Sequence, residues 1–360
     1  CKLSRNCMQC LQLNMYTSRS TNEWIFGGLM ATQAIIVLAI EIFILVEWQL
    51  WMRPEAIQVP TSYIVPIDAA IICFACIYEF LLSVDAMRHK NNILLFAICG
   101  SNVFATAFAA MQYPAMKGFC ESMPKQRAMY DIPLVDIKRN IWPQIRGPQL
   151  AVAILIGFCT LGIWGLAFQL HKQYAWSVYR SVQGDSRIRA RYLAYEVYVV
   201  FVKLGAFFVV CFVLHYGLID VHFMEPEFGL TMSIPPALTV VIVLGVYFIR
   251  REHKPLMVLV IICHLAIIAY LLSRIVVLLG NSPLSRTPTI NMTLLFAFAS
   301  LVFTFLSLAC GIKCFMNFGY GLKPILAGKP HSVRASYDFH TVSRHTPLPD
   351  DISCRRLSLA

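Results

Sequence analysis

An all-α, polytopic transmembrane helical bundle is the fold class this sequence predicts, and three observations predict it. Of its 360 residues, 58% are hydrophobic and only 14% charged, against about 45–50% and about 25% in soluble domains. The apolar residues come in blocks matching the roughly 20 helical residues that cross a hydrocarbon core of about 30 Å. Tryptophan and tyrosine collect at the block ends, at Trp24, Trp48, Trp51, Tyr63, Tyr113 and Tyr247, where an interfacial belt belongs.

Eight blocks qualify as spans: 24–47, 63–84, 93–112, 149–170, 196–218, 231–249, 256–279 and 292–315, with seven as the alternative count. They define a transmembrane domain over 24–316, preceded by a cytosolic segment 1–23 and followed by a tail 317–360. Cys1 opens the chain in place of methionine, which reads as a shortened sequence. Basic residues set the orientation. Lys2, Arg5, Arg19, Arg88, Lys90, Lys172, Arg187, Arg250, Arg251, Lys254 and the tail fall on one side, and the acidic loop with Asp220, Glu225 and Glu227 on the other. Both termini are therefore expected in the cytosol. The net charge of +11 reads as topology and not as a nucleic-acid surface.

Two connections are long. The luminal loop 113–148 holds Pro114, Pro124, Pro133, Pro143 and Pro148, which argues against regular structure. The cytosolic loop 171–195 interleaves basic residues with Tyr174, Trp176, Tyr179 and Tyr192, a pattern open to a solvated connection or a surface helix. Beyond His331 the tail is polar and expected to be disordered. There Ser358, after Arg355-Arg356-Leu357, and Thr346, before Pro347, are candidate phosphorylation positions for a cytosolic kinase. Cys314, beside Lys313 at a span end, is a candidate palmitoylation position. Cys7 and Cys10 have knuckle spacing without a second soluble pair, so neither a metal site nor a cofactor is expected.

Ser101, Ala105 and Ala109 form a ridge of small residues on span 3 that admits a close helix neighbour. Pro235-Pro236 is expected to loosen span 6.

Charges inside the apolar blocks carry the functional question, because an ionisable group at membrane depth is costly and is kept paired or in use. Glu41, Asp68, Glu79, Lys203 and Arg274 are such groups. At about 1.5 Å per residue, Lys203 and Glu79 share a depth in the cytosolic half, and Glu41 or Asp68 matches Arg274 in the luminal half. Helical spacing places Asp68 with Glu79 on one face, and Glu196 with Lys203 on another. These pairs read either as structural ties between helices or as a substrate, proton or ion pathway.

Several stretches resemble a fungal family of uncharacterised Golgi apparatus multi-pass membrane proteins. They are Arg53-Pro54-Glu55, Pro60-Thr61-Ser62-Tyr63, Tyr78-Glu79 with Asp85-Ala86, Tyr195 to Phe208 with Lys203, and Arg250-Arg251-Glu252. The resemblance covers roughly 24–320 and implies a Golgi membrane location without an activity to transfer. It also implies an acidic residue shortly after the span 5 lysine. Leu204-Gly205-Ala206 stand there instead, which leaves Glu79 as the expected partner.

No HExxH, GxSxG or cytosolic carboxylate cluster occurs, so an enzyme is not expected. The favoured expectation is a small-solute or proton-coupled transporter of the Golgi membrane, whose partners are the lipid bilayer and a small molecule or ion. A membrane-trafficking or scaffolding component is the alternative. A receptor is third, against which stand the span count and the absence of Asp-Arg-Tyr after span 3.

Overall fold

The computed structural model describes residues 20–53, 60–126, 133–181, 186–221, 226–280 and 289–319. The expected eight spans are present as eight helices long and apolar enough to cross a membrane. They are α1 (Thr21–Trp51), α2 (Ile64–His89), α3 (Asn92–Ser122), α4 (Trp142–Ser181), α5 (Ser186–His215), α6 (Glu227–Arg251), α7 (Lys254–Leu279) and α8 (Ile290–Met316). Eight crossings return the chain to the side it started from. That side is called here the terminal face, and the opposite one the far face.

Local chemistry explains the helix ends. Ser20 caps α1 by accepting from the Glu23 amide at 3.3 Å, the first half of a Ser-x-x-Glu capping box. Lys90 ends α2 in the left-handed region at φ 48°, and the Asn91 side chain then accepts from the Ile93 and Leu94 amides to start α3. Glu252, at φ 54°, makes the corresponding turn between α6 and α7, with Pro255 in the first turn of α7, where a missing amide costs nothing. Past His215 the chain continues as a π-helical segment, Tyr216–Val221.

One expectation about connections is corrected. Most of 113–148 is helical: α3 runs through Pro114 to Ser122, a short 3₁₀ turn follows at Met123–Lys125, and α4 starts at Trp142. Pro143 sits in the first turn of α4, where helices tolerate it. The 171–195 stretch is also largely helical, as extensions of α4 and α5. On the far face residues 133–141 form a strap against the end of α1. Arg53 N donates to Leu134 O and Asp136 N to Trp51 O, while the Trp51 indole donates to the carbonyls of Asp136 and Arg139. Arg139 also pairs with Glu47.

The helices group as two rings of four. In the first half α1 packs on α2 and α4, and α3 closes the ring between α2 and α4. In the second half α5 packs on α6 and α8, and α7 closes it in the same cyclic order. This four-plus-four arrangement is a finding of the structure. The halves meet along a seam where α2 and α3 contact α5, joined by α8 through Phe296 and Phe303. Accordingly α5 is the central helix, with 61% of its most apolar window buried, against 22% in α6 and α7. Pro235 and Pro236 lie inside a continuous α6.

Candidate functional site

Polar side chains on the seam gather at its two ends. Near the terminal face Lys203 Nζ on α5 lies 2.5 Å from Asp85 Oδ2 on α2, with both side chains about one-third exposed. His89, one turn along α2, is 3.5 Å from the other Asp85 oxygen. The Tyr78 hydroxyl donates to the Lys203 carbonyl at 2.9 Å, tying the same two helices. Near the far face, His215 Nε2 at the end of α5 lies 3.3 Å from Asp68 Oδ1 near the start of α2. Both are buried. The other ring nitrogen of His215 meets Thr293 Oγ1 at 2.8 Å, and that hydroxyl lies 3.0 Å from Asp220 Oδ2 on the π-helical turn.

Between the two ends the seam is apolar. Phe74, Tyr78 and Phe207 stack in series, and Phe208 stacks on Phe303 at 5.0 Å and against Phe104. A cavity of about 20 Å³ lies among them, lined by Ile71, Ile72, Ala75, Phe104, Ala105, Phe108, Phe207, Phe208 and Phe296. It has room for about one water, but no polar side chain lines it.

The first half holds a separate polar cluster. Asn102 Nδ2 on α3 donates to Glu79 Oε2 on α2 at 2.9 Å and faces Gln33 Oε1 on α1 at 3.4 Å. Thr160 on α4 donates to Asn102 Oδ1 at 2.6 Å and contacts Thr106. Nearer the far face, Gln149 donates to Gln112. Glu41, 1% exposed, has neither carboxylate oxygen hydrogen-bonded among the described residues and lies close enough to Asp68 for the two charges to interact.

These positions correct the expected pairings. Lys203 pairs with Asp85 and not with Glu79. Side chains on a helix lean toward its N-terminus, so Lys203 reaches back toward the terminal face. Asp85 lies about 9 Å nearer that face than Glu79. Glu79 points instead to α3. Arg274 meets neither Glu41 nor Asp68. It pairs with Glu227 of α6 at 3.1 Å and donates to the Tyr216 hydroxyl, because α7 neighbours α6 and stands away from α1 and α2. Glu196 lies beside Tyr192 and near His89, on the same side as the Lys203 pair. Cys314 is 1% exposed and packed among Tyr198, Met257 and Phe318, so its thiol faces the protein core and not the bilayer. Ser358 and Thr346 lie outside the described residues. Asp85, Asn102, Gln33, Gln149 and Thr160 escaped the sequence reading. An asparagine or glutamine within an apolar block is the signal that could have found three of them.

No family model matches the chain, and no solved structure matches it. A curated relative does. Over 278 residues the chain is 23% identical to a UPF0658 Golgi apparatus membrane protein of Schizosaccharomyces pombe, covering 72% of this chain and 77% of that protein. The chain resembles a Golgi membrane protein. The relative agrees with the fungal Golgi resemblance read from the sequence, and its location is the one expected there. The eight long apolar helices are those of a multi-span membrane protein.

Proposed function

We propose that this Golgi membrane protein moves a small solute without net charge by rocking its two four-helix halves about their seam, with both termini in the cytosol. The observation that carries the reading is the seam: a polar pair near each end, and between them a cavity walled only by aliphatic and aromatic side chains. Transporters built from repeated halves place the solute site near the membrane midplane between the halves, and one half rocks against the other. A charged solute in such a cavity would leave water without compensation, hence the neutral class. Glu41 and Glu79, buried without a cationic partner among the described residues, are the groups available for coupling to protons. The reading assigns no catalysis. The cytosolic side is the terminal face, where Arg88, Arg250 and Arg251 lie.

The test is uptake by proteoliposomes of a panel of uncharged solutes, graded from apolar to hydroxylated, set against zwitterionic, phosphorylated and cationic ones. Saturable uptake of a neutral member is expected, and uptake of charged members alone would overturn the solute class. The closed, stacked rings of the seam favour a second reading, a rigid trafficking or scaffolding component. Spin labels placed by Arg88→Cys in the first half and Arg251→Cys in the second separate the two. A transporter gives two distance populations in the membrane, and a scaffold gives one.

A further inference from the structure

Lys203 and His215 stand twelve residues apart on α5, about 18 Å along its axis. Both of their acidic partners are on α2, Asp85 near the terminal face and Asp68 near the far face. The seam is therefore clasped twice by the same two helices, and its apolar centre lies between the clasps. Neither clasp is needed to satisfy a helix end: Asp85 and Asp68 lie inside α2, which Tyr63 and Lys90 flank. A polar tie whose only role was to hold α2 to α5 would be expected where the two helices pack best. These sit instead at either end of the aromatic stack.

We propose that the two pairs are opposed gates: Lys203–Asp85 closes the seam at the terminal face, and His215–Asp68 closes it at the far face. The proposal rests on the rocking reading above and names the residues that regulate it. Breaking one gate lets the halves part at that end while the other stays shut. The far-face gate adjoins an irregular helical turn. His215 leads straight into the π-helical turn, whose Asp220 reaches the same Thr293 hydroxyl that His215 contacts, while Tyr216 takes a hydrogen bond from Arg274. A π-helical turn closes its hydrogen bonds over one more residue than an α-helical turn, and such turns concentrate at working sites. Relaxation of this turn to α-helical winding would move Asp220 away from the Thr293 hydroxyl that His215 also contacts.

Two label pairs read the two ends in nanodiscs: Arg88→Cys with Arg251→Cys at the terminal face, and Ile137→Cys with Leu279→Cys at the far face. Asp85→Asn is expected to raise the open population at the terminal face about fivefold, the factor that corresponds to about 1 kcal/mol, with the far-face distances unchanged. Asp68→Asn is expected to do the reverse. Lys203→Arg keeps the wild-type distribution. Should a single variant fail to fold, the exchanged pair, Lys203→Asp with Asp85→Lys, restores the closed terminal face. Loosening of both ends by either variant would reduce the pairs to structural ties, and unchanged distances at both ends would also overturn the gates. Solute uptake measured on the same samples separates the two ideas. One-ended opening without uptake of any solute leaves the gates standing and removes the transport reading, whereas uptake with no one-ended opening removes the gates alone.

Discussion

Asn102 and Tyr198 each reach the other three helices of their own halves and hold them together by different means. Asn102 touches every other helix of the first half through polar atoms: Gln33 on α1, Glu79 on α2 and Thr160 on α4. Tyr198 touches every other helix of the second half through shape. Its ring and hydroxyl fill the space left by Gly245 on α6 and Gly311 on α8, the ring lies beside His264 on α7, and that hydroxyl has no hydrogen-bond partner among the described residues. The difference shows the two ways helices associate in lipid. Apolar burial hardly favours helix–helix contact over helix–lipid contact there, so association relies on hydrogen bonds between helices or on close approach over small residues. Around these two side chains the first half uses the former and the second half the latter.

The widest separation between the halves is expected from removing each central side chain. Tyr198→Ala deletes a buried ring and should cost about 4 kcal/mol, seen as lost cooperativity of thermal unfolding in α5–α8. Asn102→Leu keeps volume but leaves Glu79 buried without its donor, at a cost of about 3 kcal/mol. Combining it with Glu79→Leu should recover much of that loss, and a double variant no better than the single would break the polar account. Gly245→Val sets a side chain where a Cβ would already lie 2.7 Å from the Tyr198 hydroxyl. Overpacking of about 2 kcal/mol is expected, measured as a lower denaturant midpoint. The smallest effect is the most discriminating. Tyr198→Phe removes a hydroxyl that bonds to nothing among the described residues and should change stability by less than about 0.5 kcal/mol. A large loss on that change would place a hidden hydrogen bond in the second half and erase the contrast.

Much of the architecture was legible in advance. Each span is an independent statement about one segment's transfer from water to lipid, and all eight were readable from their own residues. The connection 113–148 was misread because proline content was weighed as a breaker, whereas Pro143 sits in a first turn and Pro114 and Pro148 lie within helices. The partners of the charges were misread, because depth along a helix fixes only one coordinate. Lys203 had Glu79 at its level, yet the lean of its side chain and the direction of α5 took it to Asp85. Arg274 had Asp68 at its level, but α7 stands in the other half and meets Glu227.

By itself, then, the sequence determined that this is an eight-span helical membrane protein with ionisable groups inside it, since hydropathy and helical rise are properties of each segment alone. Only the tertiary structure decided that the spans form two rings of four, that α5 lies at the centre, and that α2 and α5 clasp each other at both ends of one seam. Those facts depend on which faces meet. In a bilayer, where every span is apolar on most sides, neighbour choice is left to a few small or polar residues, and their meaning appears only when the partner helix is in place.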